Sequence, residues 1–482
     1  MNFIPRKNLT LLQLNDSHGY LELHQELFWK GDQPHHMRVG GYARLKTLMD
    51  TIHAESPTLA LDCGDTIHGT YPVVQSKGEA MVPILKEMGL GAMTGHWEFA
   101  YGPQQFQKIS RALDYPMLAV NCYQEKDDHL VFPPYTIIEK GGLQLGVIGV
   151  AATIVDKVMP PHFSKGIYFT LGKEELPGYV EKLRNEERVD LVVLISHLGF
   201  PQEAKLAGDV AGIDVILSSH THNRLYHPVQ VNDTIIIQSG CHGSFLGRLD
   251  LEVQERRVRS FKHQLLTVTM DISPDPVVED LIIKATEPHR EMIEERVGHT
   301  RTALNRNTIL ESTMDNLLLE SLLSTVDADV AFSNGWRYGA PVPPGPVTVN
   351  DLWNIIPTNP PVSSVELSGR EIWNMLEVNA ELTFSRDPYQ QMGGYLKRCR
   401  GLNLYLKIEN PPGERVQEIF IQGKSIEPGK TYQTVFVTSQ GVPSAYGVNR
   451  TDLDLTAVQA LLNYFEAEKI VDTPLEGNVV AV

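Results

Sequence analysis

The chain has 482 residues, 42% of them hydrophobic and 21% charged, with a formal net charge of -17. That length exceeds what one compact core supports, so at least two domains are expected. An acidic surface repels phosphate backbones, which excludes broad electrostatic binding to a nucleic acid polymer or an anionic membrane and makes a small anionic substrate dependent on local cations.

At the N-terminus Arg6 and Lys7 have no apolar h-region behind them. No signal peptide is therefore expected, and the cytoplasm is the expected compartment, or export if a leader has been removed. No apolar run reaches the length of a membrane span. Cys63, Cys122, Cys241 and Cys399 are scattered without metal-type or framework spacing, which fits a reduced compartment.

Further along, short apolar runs predict buried strands at Leu9–Leu14, Thr58–Leu61, Leu143–Val150, Val189–Ile195 and Ile213–Leu217. Helical pattern falls between them, as around Val180–Asn185, so the first domain, 1–272, reads as α/β layers. Pro274 and Pro276 mark a break, and the charged, helically spaced stretch Val277–Val297 predicts a connecting helix within a linker at 273–298. A second domain, 299–482, has its own strands and helices, with Pro-rich loops at 341–346 and 357–361.

The chemistry sits where strands end. Leu11–Leu14 runs into Asp16 and His18, Thr58–Cys63 into Asp65, Leu191–Ser196 into His197, and Ile213–Ser219 into His220 and His222. The C-terminal ends of parallel strands form one rim, on which α/β sites are built. Residues two apart in extended chain point the same way, so Asp16 with His18, and His220 with His222, can each aim into one cavity. Mixed imidazole and carboxylate ligands suit manganese, zinc or iron rather than calcium or magnesium. One such motif alone reads as a solvated turn; four clusters at four strand ends read as a metal site.

The order Asp-x-His, Gly-Asp, Gly-x-x-Glu-Phe, Ser-His-Leu-Gly, His-Thr-His resembles the calcineurin-like metallophosphoesterases, and more narrowly the 5'-nucleotidase family. The resemblance implies an N-terminal four-layer α/β/β/α sandwich and a C-terminal α/β substrate-binding domain of the 5'-nucleotidase type. It implies two divalent cations, manganese first and zinc or iron as alternatives. Asp16, His18, Asp65 and His222 would hold one; Asp65, His96, His197 and His220 the other. Asp65 would bridge them. The implied chemistry is metal-assisted hydrolysis by acidified water.

The third motif departs from the nucleotidase pattern Gly-Asn-His-Glu-Phe-Asp. Here it is Gly95-His96-Trp97-Glu98-Phe99-Ala100. His96 replaces the Asn ligand, Trp97 the catalytic His, and Ala100 the Asp that orients it. Expelling a nucleoside alkoxide calls for a general acid, and neither replacement supplies one. A sulfur leaving group needs little protonation; otherwise another residue, with His242 foremost, supplies the proton. Trp97 would then form a wall beside the metals.

Thr94–Phe99 is similar to the matching stretch of the thiosulfohydrolase branch of the Sox sulfur-oxidation system. So are Ser333–Gly339, Asp387–Gln391 with Gly393-Gly394, and Ser312–Asp315. That branch releases sulfate from a cysteine S-thiosulfonate on a carrier protein. The expected partner is therefore a small anionic substrate or a carrier-protein cysteine adduct, without nucleic acid polymer or membrane. Its usual Gly-Gly-Asp-Met-Val-Arg is Gly393–Arg398 here, with Tyr395 and Lys397 as departures. The nucleobase-site stretch of nucleotidases is likewise replaced, by Ser439–Pro443. Arg337 is the expected clamp on sulfonate or phosphate oxygens. Asn334, Tyr395, as a platform for a base, and Arg398 complete the expected substrate residues. The alternatives to a thiosulfohydrolase are a nucleotide phosphoesterase and a non-catalytic metal-binding module.

Overall fold

The computed structural model describes residues 6–482; the leader expectation drew partly on residues 1–5, which lie outside them. Two compact units result: residues 6–26 with Met37–Pro288, and Leu27–His36 with His289–Val482. Among the described residues no helix is long and apolar enough to cross a membrane.

The first unit is built on two sheets. One runs Arg257–Thr267, Phe245–Gln254, Lys7–Leu14, Thr58–Asp62, Leu90–Met93; its last three strands are mutually parallel. The other runs Val229–Val231, Thr234–Ile237, Val215–Leu217, Leu191–Ser196, Leu143–Val150, Tyr135–Lys140, with four parallel strands at its centre. The strand Leu191–Ser196 shows why an unbroken apolar run is needed there. Leu191, Val193 and Ile195 point into a core shared with Leu9, Leu11, Leu59 and Leu61 of the facing sheet. Val192 and Leu194 point the other way, onto Leu176, Val180, Leu183 and Leu206 of the covering helices. Both faces of the strand are buried, so alternation disappears from the sequence. The layers are α/β/β/α.

The expected connecting helix over 277–297 is interrupted. Pro276–Thr286 is helical, started by Asp275, whose carboxylate accepts from Val277 N (3.0 Å) and Val278 N (2.9 Å). A turn at Glu287–His289, a short helix at Arg290–Ile293 and the strand Arg296–Thr300 follow. Pro288, without an N–H to donate, ends the regular helix, and the two units divide right after it.

The second unit has a five-stranded sheet in the order Tyr395–Arg400, Val330–Gly335, Thr431–Val437, Pro361–Ser368, Val448–Thr456. Its core joins Val330, Phe332, Val365 and Leu367 to Ile372, Met375 and Leu376 of the helix Gly369–Phe384. That helix begins with a capping box, Ser368 paired reciprocally with Glu371. Trp373 packs at the rim of this core.

Candidate metal centre

Strand register brings the rim together. Leu14 lies beside Asp62 in the parallel pair, and the loops continue that alignment: Asp16 N donates to Gly64 O (2.9 Å) and His18 N to Asp65 O (2.7 Å). All seven expected ligands converge here. One candidate ligand atom from each of Asp16, His18, Asp65 and His222 lies within 4.8 Å of the others, and the same holds for Asp65, His96, His197 and His220. Asp65 belongs to both groups, the position expected of a bridge.

The loops reach this arrangement through unusual backbone. Asp16, His18, Asp65, His220 and His222 all have positive φ, from 48° to 68°. L-residues rarely adopt that region, and it concentrates at functional sites where the surroundings impose it.

Hydrogen bonds aim the donors. Asp16 accepts from Asn15 Nδ2 (2.7 Å) and from the backbone N of His220 (3.1 Å). Asp65 accepts from Trp97 N (2.8 Å). His197 Nδ1 lies 2.6 Å from Cys63 O, which assigns a proton to Nδ1 and turns Nε2 toward the carboxylates, where a cation would displace any proton it carries. That buried Nε2 makes no aligned hydrogen bond, although Asp65 Oδ2 is 3.2 Å and Asp16 Oδ1 3.7 Å away. His18 Nε2 faces His222 Nε2 at 3.3 Å. Lone pairs directed at common points are what cations require, so the residues present fit a pair of them.

The charges respond to each other. Burial works to raise the Asp65 carboxyl, but His96, His197 and His18 around it hold it well below the ordinary range. Burial disfavours charge on His197, yet Asp65 and Asp16 push it up to about 10. Burial takes His18 down to about 3.

Residues beyond the expected set hold the loops. The buried Glu98 carboxylate accepts from four backbone N–H groups: Thr66 (2.6 Å), His96 (2.7 Å), Asp65 (3.3 Å) and Ile67 (3.4 Å). It ties the Asp65 loop to the His96 loop. The motif displayed Glu98, but a buried carboxylate serving as backbone clamp has no signature distinct from a solvated one. Trp97 is 5% exposed, and its indole stacks on His68 at 4.8 Å with 23° between the planes. His242 comes to the opposite side: its ring lies 6.1 Å from those of both His18 and His222. Its Nδ1 is 3.3 Å from Glu26 Oε2, and its buried Nε2 has no hydrogen-bond partner.

In the second unit, Arg337 Nη2 donates to Gly394 O (2.9 Å), and its guanidinium sits 4.9 Å over the ring of Tyr395. Asn334 lies at a register shift between Ser333 and Gly335. Arg398, expected among the substrate residues, is 2% exposed. It pairs with Asp315 (3.0 Å) and donates to Thr308 O (2.8 Å) and Ile309 O (2.9 Å). Those contacts give it a framework part.

Two facing sheets between helices, with paired carboxylate and imidazole clusters on the strand ends, define a dinuclear metallohydrolase. The family model described as calcineurin-like phosphoesterase matches residues 9–224, and that of the 5'-nucleotidase C-terminal domain matches residues 292–439. A sulfate thiohydrolase SoxB from Thermus thermophilus, solved in complex with glycerol, is 25% identical, covers 100% of this chain and 98% of its own, and superposes with TM-score 0.92. A 5'-nucleotidase precursor, also from Thermus thermophilus, shares the fold at 23% identity and TM-score 0.87, covering 98% of this chain and 99% of its own. A 5'-nucleotidase from Vibrio vulnificus is 24% identical over 481 residues, 88% of this chain and 83% of its own. The chain carries a calcineurin-like phosphoesterase domain followed by a 5'-nucleotidase C-terminal domain, and is a metal-dependent hydrolase.

Proposed function

We propose that this hydrolase acts on a terminal oxyanion group whose leaving group needs no proton, a cysteine S-thiosulfonate on a carrier protein being the first substrate class. Trp97 carries this reading. It stands where a nucleotidase has its acid, buried, with its backbone N–H committed to Asp65 and its indole stacked on His68. An indole does not protonate an alkoxide, and the Ala100 methyl orients nothing. The likeness to a sulfate thiohydrolase supports the same reading.

Divalent cations held at such a centre, manganese being our first choice, supply Lewis acidity, lowering the pKa of water and offsetting charge on the oxyanion. The chain's own part follows from its contacts. Asp65 is oriented by Trp97 N, Asp16 by Asn15 and the His220 backbone, and His197 by Cys63 O. With two carboxylates in the set, a loaded centre stays positive and attracts an anion despite the acidic surface. Arg337, planar and placed over Tyr395, is the proposed clamp on the remaining oxygens, with Asn334 beside it.

A second reading, a nucleotide phosphoesterase, is supported by the His242–Glu26 pair, an imidazole oriented by a carboxylate beside His18 and His222, and by relatives named 5'-nucleotidase. The test is a manganese-supplemented panel of an S-thiosulfonate peptide, an aryl phosphate and AMP. The first reading expects turnover of the peptide and preference for the aryl phosphate over AMP. Restoring the dyad, Trp97→His with Ala100→Asp, should raise AMP hydrolysis, by up to about 10²–10⁴. Brisk wild-type AMP turnover, unimproved by that change and lost in His242→Ala, would establish the second reading instead.

A further inference from the structure

Beside the dinuclear centre lies a second cluster that the chemistry above does not require. His24 and Glu26, two residues apart on the strand His24–Lys30, meet His242 and Ser244, two apart on the loop before Phe245. One ligand atom each from His24, Glu26 and His242 lies within 4.8 Å of the other two. Ser244 Oγ is 3.0 Å from both His24 Nε2 and Glu26 Oε2, and His242 Nδ1 is 3.3 Å from Glu26 Oε2. Donors about 2.0–2.1 Å from a tetrahedral zinc stand about 3.3–3.4 Å apart, close to these separations.

The surroundings prepare the donors as ligands. His24 Nδ1 lies 3.1 Å from Glu22 O, which places the ring proton there and turns the bare Nε2 toward the cluster. Arg224 Nη2 holds the other oxygen of Glu26, Oε1, at 2.7 Å. Gly40 leaves room for the ring: a Cβ built on it would lie 2.4 Å from His24 Cε1.

Counting protons separates a metal site from an ordinary network. Four polar contacts join these groups: His24 to Glu22 O, His24 to Ser244, Ser244 to Glu26, and His242 to Glu26. Neutral His24, Ser244 and neutral His242 offer one proton each, three in all. One contact is left with two lone pairs facing each other.

We propose that His24, Glu26 and His242, with Ser244 as a neutral fourth donor, form a third divalent-cation site, of the two-imidazole, one-carboxylate kind that suits zinc. A cation there would also remove Glu26 from its part as the orienting partner of His242. The proposal is independent of which substrate the enzyme takes.

The experiment is equilibrium dialysis of metal-free full-length protein against zinc alone, with metal counted per chain. Three equivalents are expected for the wild type. Two are expected for His24→Ala and for Glu26→Gln, each with a wild-type far-UV circular dichroism spectrum, while His220→Ala keeps the third and loses metal from the dinuclear centre. Two equivalents in the wild type at saturating zinc overturn the proposal without any variant. Three retained in His24→Ala overturn it as well.

Discussion

At the scale of single residues, Glu98 and His197 carry the sharpest consequences. Glu98→Gln keeps the shape but weakens acceptance from four N–H groups shared by the Asp65 and His96 loops. Metal affinity measured by competitive titration should fall about 10–100-fold, the usual effect of losing a group that supports ligands. Unchanged affinity would mean that the loops hold themselves. His197 predicts a pH dependence. Its pKa is raised to about 10 in the metal-free fold, so it carries a proton at neutral pH that a cation must displace. Zinc affinity should therefore rise with pH, about tenfold per unit up to about 10, with about one proton released per chain from this group. A pH-independent affinity between 6 and 8 would contradict this. Asp16 with His18, and His220 with His222, were legible as pairs two residues apart after apolar strand runs, Asp65 and His197 as single residues after such runs, and His96 through the family resemblance. His24 and Glu26 share that spacing, but they sit inside a strand rather than after one, so nothing singled them out. Arg398 was expected among the substrate residues; its contacts with Asp315, Thr308 and Ile309, which no sequence pattern displays, give it a framework part.

At the scale of elements, the strand Leu143–Val150 allows a direct test of how tightly the layers fit. Gly149 leaves no room for a side chain: an added Cβ would lie 2.2 Å from the backbone oxygen of Leu118. Gly149→Ala should destabilise the first unit by roughly 1–3 kcal/mol or more, read from urea unfolding. A neutral result would show that the Leu118 segment can retreat. The five strands expected in the first domain were legible as unbroken apolar runs because, like Leu191–Ser196, they are buried on both faces; half-exposed strands such as Arg257–Thr267 lack that signal. The interruption after Thr286 was not, because charged residues at helical spacing run on past Pro288 while the structure turns there.

At the scale of the whole molecule, each unit has its own apolar core, and the candidate dinuclear centre belongs to the first alone. Calorimetry with and without manganese should therefore show two transitions. Only one should move, by an amount equivalent to about 2.7 kcal/mol for each ion bound when the free metal is at 100 times that site's dissociation constant. Equal movement of both would mean that the units melt together. Length alone announced two domains, but it gave no hint that Leu27–His36 would belong with the second unit. One arrangement in the first unit also bears on how the protein is made. The strand Lys7–Leu14 lies between Thr58–Asp62 and Phe245–Gln254, so one of its edges stays unpaired until residues some 240 positions later have been synthesised. At about 5–20 residues per second, that is a wait on the order of ten to fifty seconds. Asp16 waits nearly as long, 206 positions, for His222. The ligand set is thus complete only shortly before that strand, and for most of the interval the nascent chain must stay safe from aggregation without help from a fully held cation.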